Sequence, residues 1–150
     1  GQVVDEMEEI EVIHNGRNWN GFHISVGNPH AVVFVDSLDE VGALGEAPTV
    51  NPPSSYPEGV NVEFVELTGA NEAKMRVHER GVGETRSCGT GTCAVALAAS
   101  LHSKQKLPAV WTIYPPGGRL IVDLDGHFNA TLIGPAVLIK DYDISGYLTP

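Results

Sequence analysis

The sequence predicts an α+β fold, a strongly curved, mostly antiparallel sheet wrapped around one buried central helix. Two observations carry this. Most of the chain reads as strand, either alternating or continuously apolar, between clusters of turn residues. The one strongly helical stretch, "CAVALAASL" from Cys93 to Leu101, has no polar face before Ser100, whereas a surface helix shows an apolar stripe of limited width. A helix that is apolar all round must be covered on nearly every side, and strands are what this chain has to cover it with.

Taken in order, "EEIEVIHNGRNWNGFHISV" (Glu8 to Val26) carries β-branched and aromatic residues on both sides of Asn15-Gly16. That dipeptide is a strong hairpin signal, because both central positions of the tight turn need positive φ. "AVVFV" (Ala31 to Val35) reads as a buried strand and "DSLDEVGALG" as a turn or two of helix. From Glu46 to Gly59, Pro48, Pro52, Pro53 and Pro57 are expected to prevent regular structure and leave an ordered surface loop. "VNVEFVEL" and "AKMRVHE" form an expected antiparallel pair across Thr68 to Asn71. The helix is expected from about Gly91 to Gln105, stopped by Leu107-Pro108, with His102, Lys104 and Lys106 near its negative end. "VWTIY", "RLIVDLD" and "FNATLIGPAVLI" supply three or four further strands.

A length of 150 residues suits one domain. Nine basic residues against 19 acidic give a net charge of -10, and the basic ones are scattered, which argues against nucleic acid and against an anionic membrane surface as partners. The apolar run from Ala94 to Leu101 falls far short of the roughly 20 residues that span a bilayer. The start, Gly1-Gln2-Val3-Val4-Asp5, lacks an initiator methionine and a signal sequence, so a cut chain is expected, with processing as the other route to such a start. Cys88 and Cys93 are too close together to form a disulfide framework, which makes a reducing cytoplasm the expected location. The six histidines show no metal-binding spacing, and a Cys-x4-Cys pair alone is a poor metal site, so no metal is expected.

The entrance to the helix, "CGTGT" from Cys88 to Thr92, is the candidate site. A buried helix keeps free N-H groups in its first turn; Gly89 and Gly91 let a ligand approach them, Thr90 or Thr92 can cap, and the dipole adds positive potential. The same field favours a thiolate at Cys88. On the residues alone Cys88 reads equally as a small hydrophobe, Cys93 reads as a buried structural side chain, and Glu79 and Arg80 read first as a strand-end charge pair.

Three motifs in register, "GNPHAVVFV" (Gly27 to Val35), "YPEGVNVEFV" (Tyr56 to Val65) and "VHERGVGETRSCGTGTCA" (Val77 to Ala94), resemble the diaminopimelate epimerase family, over the family's C-terminal half. The resemblance implies a single domain over 1–150, half of a two-domain, cofactor-independent isomerase that converts LL- to meso-diaminopimelate for lysine and peptidoglycan synthesis. It implies Cys88 as one of two catalytic cysteines, with Asn28, His30 and Asn61 in the site. Glu79 would hold amino groups, Arg80 the distal carboxylate, and the Gly89 and Thr90 amides the carboxylate at the reacting carbon. Its partners would be the small-molecule substrate, the enzyme's N-terminal domain and a second copy in a homodimer.

The chemistry accounts for these residue types. Without a pyridoxal cofactor the α-carbanion must be stabilised by fixed dipoles, and inversion needs a base on one face and an acid on the other. An arginine grips a carboxylate through two parallel hydrogen bonds. Cys93 lies about a turn along the same helix and cannot supply the opposite face, so this chain is expected to be inactive alone. Other isomerases of the same fold, a non-catalytic domain, and a thiol hydrolase using Cys88 with His30 are the competing expectations.

Overall fold

The computed structural model describes residues 7–143. The Gly1 to Asp5 start lies outside the described residues. The elements run β1 (Glu8–His14), β2 (Arg17–Ser25), β3 (Pro29–Phe34), β4 (Thr49–Asn51), β5 (Asn61–Gly69), β6 (Glu72–Glu79), β7 (Gly83–Thr85), α1 (Gly89–His102), β8 (Ala109–Tyr114), β9 (Leu120–Leu124) and β10 (Ala130–Ile133). All ten strands among the described residues join one open sheet in the order β10-β9-β8-β6-β5-β3-β2-β1-β4, with β7 paired to β6. The fold is therefore α+β, as expected, with a mixed sheet: β3 with β5 and β6 with β8 run parallel, and the other pairs are antiparallel.

The β1–β2 hairpin forms where Asn15-Gly16 places it, with φ of 47° and 72° at the two turn residues. The Asn15 amide then reaches across to the Val41 and Ala43 carbonyls. Leu38 to Val41 makes a single 3-10 turn, capped by the Ser37 hydroxyl on the Asp39 amide. Of the C-terminal segment, "PAVLI" extends past β10 without joining the sheet.

Each face of the sheet carries its own core. On one face α1 contacts β2, β3, β5, β8, β9 and β10, and Val32, Val65, Met75, Val77 and Trp111 pack with its alanines. On the other, Ala31, Val33, Val62 and Phe64 meet Val41, Leu44, Val50 and Tyr56 from the long connection between β3 and β5. That connection corrects the expectation of a surface loop free of regular structure. Pro48 and Pro52 bracket β4 rather than interrupt it, and β4 pairs with β1 at the sheet edge, where prolines are tolerated.

The helix also starts and stops earlier than expected. Its N-cap is Cys88, whose sulfur accepts from the Gly91 amide, and it ends before Ser103, with Lys104 in the left-handed region at φ 51°. Lys104 and Lys106 thus lie beyond it, while His102 stacks on Phe34 with ring centroids 4.2 Å apart. From Ala94 to Ser100 every residue is buried. Ser100, the polar interruption of the run, accepts from Trp111 Nε1 at 2.7 Å. No helix among the described residues is long and apolar enough to cross a membrane.

Candidate active site

Two structural consequences of the fold assemble the site. β3 and β5 lie side by side in parallel with His30 opposite Asn61, and α1 begins over the same strand ends. Cys88 caps α1 with its own side chain: the Gly91 amide donates to Sγ at 3.4 Å and the Thr92 amide to the Cys88 carbonyl at 2.9 Å. Capping by Thr90 or Thr92 is thereby corrected, since the Thr92 hydroxyl turns back to donate to the Cys88 carbonyl at 2.8 Å. The Gly89 and Thr90 amides, both on exposed residues, have no acceptor among the described residues and point out of the helix end, the arrangement that receives an anion.

A run of side chains leads from the sheet to this helix end. His30 is fully buried; its Nδ1 lies 2.7 Å from Glu63 Oε1 and its Nε2 3.1 Å from Asn28 Oδ1. Asn28 Nδ2 donates to Thr90 Oγ1 at 3.4 Å, and Thr90 Oγ1 is 3.6 Å from Cys88 Sγ. Cys88, Asn28, His30 and Thr90, each predicted from the sequence, are thus in one connected group. Glu63 is the member that sequence reasoning missed. Its sole signal was a carboxylate set among the apolar residues of "NVEFV".

Glu79, Arg80 and Asn61 form a second group at the end of β6. The Arg80 amide donates to Asn61 Oδ1 at 2.9 Å, so that oxygen is engaged by backbone rather than free. Thr85 Oγ1 donates to Glu79 Oε1, tying β7 to β6. The Arg80 guanidinium makes no ion pair among the described residues and lines a cleft with His78, Tyr56 and Gly59. The Glu79–Arg80 charge pair that the residues alone suggested is therefore not formed.

Burial works against the thiolate expected at Cys88. Burial pushes the Cys88 thiol above its ordinary value; the Thr90 hydroxyl and Gly91 amide pull the other way, and Glu79 and Glu63 push it higher still. Desolvation, which a linear sequence does not display, is the largest of these influences and outweighs the two hydrogen bonds that favour thiolate. Burial likewise raises the Glu63 carboxyl, opposed by His30 and reinforced by Glu79. Cys93 is half-buried rather than locked inside, and lines a cavity of about 500 Å³ with Gly89, Thr90, Leu97, Val26 and Phe128. No group of three metal-ligating side chains occurs among the described residues.

Residues 22–139 match the family described as diaminopimelate epimerase. A diaminopimelate epimerase of Streptomyces coelicolor is 44% identical over 146 residues, covering 94% of this chain and 50% of the relative. One of Bacillus licheniformis is 37% identical over 136 residues, covering 91% and 48%. The chain spans about half the length of the relatives it matches. Among solved structures, a Bacillus anthracis phenazine biosynthesis protein of the PhzF family aligns at a TM-score of 0.47 and 20% identity, over 84% of this chain and 40% of that one.

Proposed function

The chain belongs to the diaminopimelate epimerase family, and we propose that it provides one half of a cofactor-independent epimerase site, the half that carries Cys88. The observation that carries this reading is the pairing of a helix-capping thiol with the two open amides of Gly89 and Thr90 beside it. A carboxylate received by those amides brings its α-carbon next to Sγ. There Cys88 gives or takes the α-proton, while the helix end and its dipole stabilise the charge that develops on the carboxylate.

In this reading Glu79 meets the substrate ammonium, Arg80 the distal carboxylate of diaminopimelate, and Asn28 and Asn61 fix the ligand between them, with His30 behind Cys88. Inversion at carbon needs a second acid-base group on the opposite face. Cys93 cannot be that group, because it lies further along the same helix. The chain is accordingly read as the C-terminal domain, 1–150 forming one unit, with the N-terminal domain of the enzyme supplying the second cysteine. The strongly curved form of the sheet belongs to this reading and is supported by the contacts of α1 with strands on both flanks. So do a homodimer and a cytoplasmic location, the latter supported by two free cysteines.

The test is proton NMR of LL-diaminopimelate in D2O. The α-proton signal is expected to persist with this chain alone, to decay once the family's N-terminal half is added, and to persist again with Cys88→Ala. Turnover by the chain alone, or by the Cys88→Ala mixture, would refute the reading.

A further inference from the structure

The buried carboxyl of Glu63 is the group that the site's chemistry has not yet used. Its side chain is wholly excluded from solvent, Oε1 is engaged by His30, and Oε2 has no hydrogen-bond partner. A carboxylate placed this way would leave half its charge uncompensated in a dry interior, whereas a neutral carboxyl leaves a single carbonyl-like oxygen unpaired. The neighbouring atoms fix the direction of the remaining hydrogen bonds. Asn28 Oδ1 only accepts, so His30 Nε2, 3.1 Å away, carries a hydrogen; Asn28 Nδ2 only donates, so Thr90 Oγ1 accepts from it and is free to donate onward.

We propose that Glu63 is a positioning residue for Cys88: it holds a proton against His30 Nδ1, so that His30, Asn28 and Thr90 present one continuous run of donors that ends at the Cys88 sulfur. The proton count is simple. One hydrogen lies between Glu63 Oε1 and His30 Nδ1, a second is on Nε2, and neither leaves the pair. The donor that arrives at Sγ is the Thr90 hydroxyl, which stabilises the thiolate over the thiol. Gly91 gives this arrangement its space, because a β-carbon there would lie 2.6 Å from Glu63 Oε1 and 3.3 Å from Sγ. The titratable groups that act on Glu63 are His30 on β3 and Glu79 on β6; an ionised Glu63 would push the Cys88 thiol up, and the proton it holds removes that charge. The inference rests on the reading of Cys88 as the reactive thiol, but its test requires no turnover.

Iodoacetamide labelling of Cys88 in the 150-residue chain, followed by peptide mass spectrometry across pH 6 to 10, separates the alternatives. If Glu63 acted only through charge, Glu63→Gln and Glu63→Leu would shift the profile alike. Positioning predicts that they differ. The side-chain amide introduced by Glu63→Gln can still donate to His30 Nδ1, so that variant should stay within about twofold of the parent, whereas Glu63→Leu should label about tenfold more slowly at pH 7 and titrate at higher pH. Equal behaviour of the two variants overturns the proposal. The second measurement uses the unmodified chain, so a poorly folding variant does not decide the matter: nitrogen-15 NMR of the His30 ring should find Nε2 protonated from pH 6 to 8. A ring protonated at Nδ1 alone would mean that Asn28 is turned over and the donor run is reversed, and would likewise overturn it. Neither result depends on whether the complementary half restores isomerisation, so failure of the half-site reading would be distinguishable.

Discussion

A β-carbon on Gly91 would stand 2.6 Å from Glu63 Oε1. The helix start and strand β5 are therefore as close as they can be at this point, and the contact is with a buried side chain that has little room to swing away. Gly91→Ala gains up to about 1 kcal/mol of helix propensity but meets an overpacking cost of about 1 to 3 kcal/mol. The expected net result is a lower Tm by thermal unfolding and a disturbed Cys88 cap. At Gly89 the corresponding contact is 3.2 Å to the tip of Leu132, a flexible and partly exposed side chain, so Gly89→Ala should leave Tm unchanged or raise it slightly.

The Ser100 hydroxyl is buried and serves Trp111 Nε1. Ser100→Ala leaves that indole N-H without its acceptor in a core position, a loss of about 1 to 3 kcal/mol. Urea unfolding should show the midpoint falling with no change in slope.

Glu63 also sets a pH dependence of stability. Its folded value is raised above its unfolded one, so as pH climbs past the ordinary carboxyl range the unfolded chain releases this proton before the folded chain does. The native state then binds more protons, and the contribution of this residue to stability falls as pH rises. Glu63→Gln has no such proton. Its stability relative to the parent should therefore increase between pH 4 and pH 8, as measured by denaturant unfolding at each pH.

With burial and the Glu79 carboxylate pushing its thiol up, Cys88 should label with iodoacetamide more slowly than a model thiol at pH 7. Glu79→Gln removes that charge and should speed labelling by about two- to fivefold at that pH. An unchanged rate would show that the charge of Glu79 does not reach the sulfur.

The sequence is most readable where structure is local. Asn15-Gly16 dictates its own turn, and "CAVALAASL" announces burial because no arrangement of its side chains offers a polar face. Cys88, Asn28, His30 and Thr90 are legible as candidate site residues through their motifs. Glu63 is not, since a glutamate in an alternating strand normally faces solvent, and only the closure of β3 and α1 over β5 buries it. The raised thiol of Cys88 escapes the sequence for a related reason: a helix N-terminus can be read along the chain, but desolvation depends on what the rest of the fold places around it. The strand β4 is hidden because its three residues gain their order from β1, far away in sequence.

β7 and β8 share one side of β6: β7 pairs near its end at Val77 to Glu79, and β8 near its start at Glu72 to Lys74. The chain between those two attachments is α1. Strand and helix thus make a closed circuit, fastened at both ends to the strand that ends at Glu79, next to Arg80. Neither the thiol nor the neighbouring charges can be displaced separately without unzipping a sheet edge. Loosening the site is then a cooperative event, and amide hydrogen exchange at the helix start should follow that of β6 rather than that of the surrounding loops.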